Sequence, residues 1–102
     1  MKKSKKKNPS IVLTSQERSD IDVLPRMTIA EIAALIKKHW KKVSPGARPF
    51  LNAMGKMNSI KDNFGGVSGK SIVIHFLSNT LAWQGVIARE VERELLKRWK
   101  QR

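Results

Sequence analysis

Residues 80–99 read TLAWQGVIAREVERELLKRW, and the fold class follows from them. Trp83, Ile87, Val91, Leu95 and Trp99 recur at every fourth position, Leu81, Val86 and Ala88 widen the apolar face, and Arg89, Arg93 and Lys97 line another side. This is helical spacing, because residues three and four apart share one face of an α-helix. Asn79 or Thr80 can cap the start with a side-chain oxygen that accepts from an orphan N–H of the first turn. Glu90 with Arg93, Glu94 with Lys97 and Glu94 with Arg98 stand at supportive spacings, each worth about 0.3 kcal/mol. Gly85 is the weak link, costing about 1 kcal/mol relative to alanine in a helix interior, unless another backbone packs close there.

Upstream, Ser68 or Ser71 caps a helix through Ser78 with Ile72, Val73, Phe76 and Leu77 on one face. The same run, SIVIHFL at 71–77, is β-branched and short enough for a buried strand, with residues 10–13 and 21–24 as candidate partners; helix is the preferred reading. NSIKDNFGGVSG at 58–69 is a glycine-rich loop, expected to be pinned to the core by Ile60, Phe64 and Val67. Residues 47–58 give a short helix with Phe50, Leu51, Met54 and Met57 inward and Arg48 and Lys56 pointing away. Thr28-Ile29-Ala30-Glu31 is a capping box. It opens a helix whose stripe is Ile29, Ile32, Ile36, Trp40 and Val43, with Leu35 beside it, and Ser44-Pro45-Gly46 ends it. Met27–Ala34 resembles the first helix of a helix-turn-helix. The pattern runs on through Lys42 where a short turn should follow, so no role is carried over from it.

The reading is therefore an all-α chain: a small domain of three to four helices over residues 27–102, with a short strand at 71–77 as the variant. A disordered basic arm over residues 1–26 precedes it. In the arm, Lys2, Lys3, Lys5, Lys6 and Lys7 repel one another and Asn8-Pro9-Ser10 breaks any helix. So small a unit buries only about 60% of its unfolded surface, and a homodimer is compatible with that.

Charge is the dominant compositional signal. Twenty-one Lys and Arg face eight Asp and Glu, a net +13, and the excess is spread: +4 in residues 1–26 and +9 in residues 27–102. A body this basic attracts polyanions. With no cysteine, disulfides, thiolate metal sites and cysteine nucleophiles are excluded. No apolar run approaches the ~18 residues of a membrane span, and the apolar part after the leading lysines is too short for a signal-peptide core of ~7–15 residues. A cytoplasmic address follows by default.

Gly69-Lys70-Ser71 invites a phosphate-loop reading, but Phe64 stands where the first glycine of that motif belongs and Gly65 is one residue too close. What survives is a glycine-rich turn entering a helix start, with Lys70 beside it, able to hold a phosphate of a nucleic-acid backbone. His39 lies among lysines and His75 has no acidic or histidine partner at helical spacing, so neither begins a metal site. No pair of carboxylates is set up for acid–base chemistry. Trp40 and Trp83 belong to apolar stripes; Trp99, between Arg98 and Lys100, is the tryptophan free to stack on a base.

The expected function is non-enzymatic binding of DNA or RNA through backbone phosphates, with no cofactor and no metal. Lys37, Lys38, Lys41 and Lys42 form one patch, Arg89, Arg93 and Lys97 another, and Lys70 a third contact. Phosphate contacts position a protein without reading sequence. The alternative is a small helical adaptor that docks an acidic protein, which would be less sensitive to salt than phosphate binding.

Overall fold

The computed structural model describes residues 13–101. In order they form α1 (Ser15–Val23), a 3-10 turn (Leu24–Arg26), α2 (Ile29–His39), α3 (Arg48–Met54), a two-stranded hairpin of β1 (Asn63–Phe64) and β2 (Val67–Ser68), α4 (Gly69–Leu77) and α5 (Val86–Lys100). The chain is thus mostly helical, and residues 71–77 lie in a helix rather than a strand. The lysines of the expected arm, at positions 2–7, lie outside the described residues.

The Thr28 capping box forms as its spacing requires. The Thr28 hydroxyl accepts from the Glu31 N–H at 3.1 Å, and the Glu31 carboxylate accepts from the Thr28 N–H at 2.8 Å. From there α2 buries Ile29, Ile32, Leu35 and Ile36. It ends at His39, one turn earlier than the stripe implied, because Trp40 leaves helical geometry (φ −112°, ψ 88°). Trp40 is buried all the same: its ring stacks on Trp83 at 5.4 Å and 5° and meets Phe76 edge-on at 6.4 Å. Leu51, Met54 and Met57 from α3 and its exit, Val73 and Phe76 from α4, and Val91 and Leu95 from α5 fill the rest of the core. The first-turn N–H groups of Ile29 and Ala30 donate to the carbonyls of Asn58 and Met57 (3.1 and 2.7 Å), which ties the α3–β1 connection onto the start of α2.

Three expectations are corrected. Residues 15–26, assigned to the arm, are helical. Thr14 and Glu17 repeat the reciprocal cap of Thr28 and Glu31, and Leu24 reaches the core with Ile21 packed beside it. Second, the last helix starts at Val86, not near Thr80. Its N-cap is Gly85 at φ +110°, a conformation that side-chain-bearing residues rarely adopt. The glycine therefore breaks the apparent stripe instead of weakening a continuous helix. Trp83 sits in the preceding turn, and Leu81 is 90% exposed instead of widening a core face. Third, of the residues expected to pin the glycine loop only Ile60 is buried; Phe64 and Val67 are exposed on the hairpin, whose turn is Gly65–Gly66.

Gly69 has a packing reason of its own. A Cβ there would lie 2.5 Å from the Ile60 carbonyl oxygen and 2.8 Å from that of Asp62, and its N–H donates to Asp62 at 2.6 Å. Among the described residues no helix is long and apolar enough to cross a membrane.

Candidate nucleic-acid interface

The last turn of α2 and the turn after it carry Lys37, Lys38, Lys41 and Lys42. Positive charge is favoured here, since carbonyl ends make a helix C-terminus negative. All four are exposed, but they do not act as one set. Lys37, Lys41 and Arg48 line one depression of about 260 Å³ together with Trp40, Val43, Leu51 and Asn52. The Ser44–Ala47 turn brings the chain back so that Arg48, at the start of α3, faces α2; its guanidinium donates to the Val43 carbonyl at 3.1 Å. Lys37, Lys41, Lys42 and Arg48 take part in no ion pair among the described residues. Arg48 was expected to point away, and nothing in its local sequence signals this convergence, which depends on the turn.

Lys38 is drawn off the patch. Its ammonium lies 3.1 Å from the Asp20 carboxylate, which also meets His39 Nε2 at 2.9 Å and accepts from the Gln16 amide at 2.9 Å. Burial alone would raise the Asp20 carboxyl, but the hydrogen bonds from His39, Lys38 and Gln16 outweigh it and hold it below its ordinary value. A carboxyl with a lowered folded value contributes stability that is fully present above about pH 4. That contribution is lost as the pH falls through the lowered folded value. Asp20→Asn is therefore expected to cost on the order of 1–2 kcal/mol at pH 7 and progressively less below pH ~4, as read from urea titrations across that range.

The α5 set is interleaved with acid. Arg93 lies 3.4 Å from Glu90, Lys97 shares a depression with Glu90 and Glu94, and Arg89 lies along a groove with Glu92. The structure does not bring Arg89, Arg93 and Lys97 into the depression that holds Lys37, Lys41 and Arg48. Lys70 is exposed in the first turn of α4, where the Ser68 hydroxyl caps the helix through the Ser71 N–H. Its ammonium lies 4.8 Å from the centroid of the Trp99 ring, and Trp99 Nε1 donates to the Lys70 carbonyl at 3.1 Å. One face of the tryptophan expected to stack on bases is thus covered by the chain's own lysine.

Neither histidine stands with a ligand set. His75 Nδ1 meets the Ser71 carbonyl at 2.6 Å and its ring stacks on Phe50, and among the described residues no group of three His, Asp or Glu converges. Compared with protein-family models, with curated proteins and with solved structures, the chain matches none.

Proposed function

We propose that the protein binds nucleic acid, DNA or RNA, without catalysis and mainly through backbone phosphates, and that Lys37, Lys41, Lys42 and Arg48 form the centre of the contact. The observation that carries this reading is the convergence of Lys37, Lys41 and Arg48 on one depression with no carboxylate among its lining residues. Cations gathered without counter-charge repel one another, a cost that a phosphate backbone relieves by releasing its own condensed counterions. Lys38 stays with Asp20 and adds less; Arg89, Arg93, Lys97 and Lys70 contribute to the long-range field of a chain carrying +13. Asn52 is the one amide side chain among the lining residues, so discrimination between sequences is expected to be weak.

Fluorescence anisotropy of the full chain against a short labelled duplex and a labelled single-stranded RNA tests this across a salt series. Binding should weaken with a log–log slope of about −0.9 per phosphate neutralised on duplex DNA. The variant Lys37→Glu/Lys41→Glu/Arg48→Glu should show a slope shallower by about 2–3 and an affinity at least ~tenfold lower. Absence of binding at low salt, or a triple variant that binds like the parent, refutes the proposal.

A further inference from the structure

The groove between α4 and α5 has features that phosphate binding does not use. Its lower section is bounded by Leu77, Thr80, Ala88 and Arg89, its upper section by Ile74, Arg93 and Leu96, and the two are contiguous, of about 520 and 500 Å³. Beside it stands Leu81, held out by a turn anchored on both sides. The Thr80 hydroxyl donates to the Leu77 carbonyl (3.0 Å), the Trp83 N–H donates to the Thr80 carbonyl (2.9 Å), and the Trp83 ring is locked against Trp40. A leucine 90% exposed on such a turn leaves unused the stabilisation that burial of its side chain would contribute. Leu96, also exposed, closes the far end of the groove. Single exposed apolar residues are ordinary; two of them flanking one groove make a patch.

We infer that this groove docks a short acidic amphipathic segment of another protein, whose apolar side chains enter between Leu81 and Leu96 and whose carboxylates meet Arg89 and Arg93. The α5 wall presents positions 85, 89, 93 and 96, a run of about 16 Å at 1.5 Å per residue, which matches about three turns of a partner helix laid in the groove. Charge selects the occupant. Arg89 makes no ion pair among the described residues, and Arg93, mostly exposed, holds Glu90 through one terminal nitrogen at 3.4 Å, which leaves the rest of its fork for a partner's carboxylates. A second copy of the chain would bring +13 against +13. Residues 1–12 carry five lysines and no carboxylate, and the arginines repel them too. Glu92 is the acidic group of the lining; burial pushes its carboxyl up, although Thr80 and Arg89 nearby work in the opposite direction. Arg89 and Arg93 outnumber it along the groove.

The probe is a phage-displayed library of random 16-residue peptides selected on the full chain, with enriched peptides resynthesised and measured by fluorescence anisotropy. The expected peptides pair apolar residues at i, i+3 or i+4 with Asp or Glu. Leu81→Glu, Leu96→Glu and Arg89→Glu/Arg93→Glu should each weaken their binding about tenfold or more, while Lys61→Gln, outside both surfaces, leaves it unchanged. Leu81→Glu alters a side chain that touches little of the fold, so its loss of binding is not a loss of folding; circular dichroism confirms that. Enriched peptides that lack this pattern, or that bind Leu81→Glu as they bind the parent, overturn the inference. So does a concentration-dependent dimer in sedimentation that Leu81→Glu abolishes, which would assign the groove to a second copy. A spin label on Val12→Cys, in a chain otherwise free of cysteine, that broadens the Leu81 and Leu96 amide signals would assign it to the chain's own N-terminal segment, and that too overturns it.

Discussion

Trp83→Ala is expected to lower stability by about 3–5 kcal/mol, measured by urea unfolding followed by far-ultraviolet circular dichroism. Small domains have only about 5–15 kcal/mol in total, so the substitution should remove a large share of the fold. The ring is 7% exposed and lies flat on Trp40, which in turn meets Phe76 edge-on, and Phe76 is wholly buried. Truncation opens a cavity beside two large rings that cannot collapse into it, and it removes a pair worth about 0.5–1.5 kcal/mol beyond area burial. It also frees the turn that carries Leu81. Trp99→Ala is the comparison: that ring is partly exposed near the end of α5, so its loss should cost distinctly less. A Trp83→Ala cost no greater than that of Trp99→Ala would mean that the 80–85 turn is not anchored through the stack.

Arg98→Ala should cost about 2–4 kcal/mol. Its Nε donates to Glu94 at 2.8 Å, and its two terminal nitrogens donate to the carbonyls of Met27 (2.7 Å) and Leu24 (2.8 Å). The side chain is 16% exposed and that of Glu94 11%, so removal strands a carboxylate and the Met27 carbonyl where water reaches poorly and leaves the Leu24 carbonyl with the Met27 N–H alone. Arg98→Lys should recover only part of the loss, because an ammonium on a flexible stem cannot span three acceptors in the planar geometry of a guanidinium. Adding Glu94→Gln to Arg98→Ala should cost less than the sum of the two single changes, since the second then removes a carboxylate already without its partner. Hydrogen exchange should locate the effect in residues 15–26, which Arg98 holds to α5.

Features that depend on a few neighbouring residues were legible in the sequence. The Thr28–Glu31 box, the α2 stripe as far as Ile36, the α4 face and the α5 core positions Ile87, Val91 and Leu95 are local patterns, and each holds in the folded chain. The start of α5 was not, because Trp83 continues the fourfold spacing although it sits in a turn. Only the left-handed φ of Gly85 separates the two, and glycine at that position also reads as a weak helix residue. The helix at 15–23 carried the same Thr-x-x-Glu signature as α2. It was obscured by the charged residues around it, and its anchors are distant: Asp20 to His39, and Leu24 to Arg98. The site divides in the same way. Lys37, Lys41 and Lys42 were visible as a cluster of charge, whereas the diversion of Lys38 to Asp20 and the arrival of Arg48 depend on where remote segments lie. The α4–α5 groove had no local signal at all, since Leu81 appeared to belong to a buried face.

The clasp of Arg98 onto Leu24 and Met27 joins residues 74 and 71 positions apart, and during translation those partners are made at opposite times. The ribosome releases α1 and α2 while α5, which supplies Ile87, Val91 and Leu95 to the core, is still to come. Until residue 98 has cleared the exit tunnel, α1 is held only by Asp20 to Lys38 and His39, and the isoleucines of α2 lack one of their walls. Such a chain is expected to complete its core only once α5 has emerged. A polypeptide stalled before Arg98 would carry its apolar stripe uncovered, and quality-control proteases and chaperones would meet it in that condition.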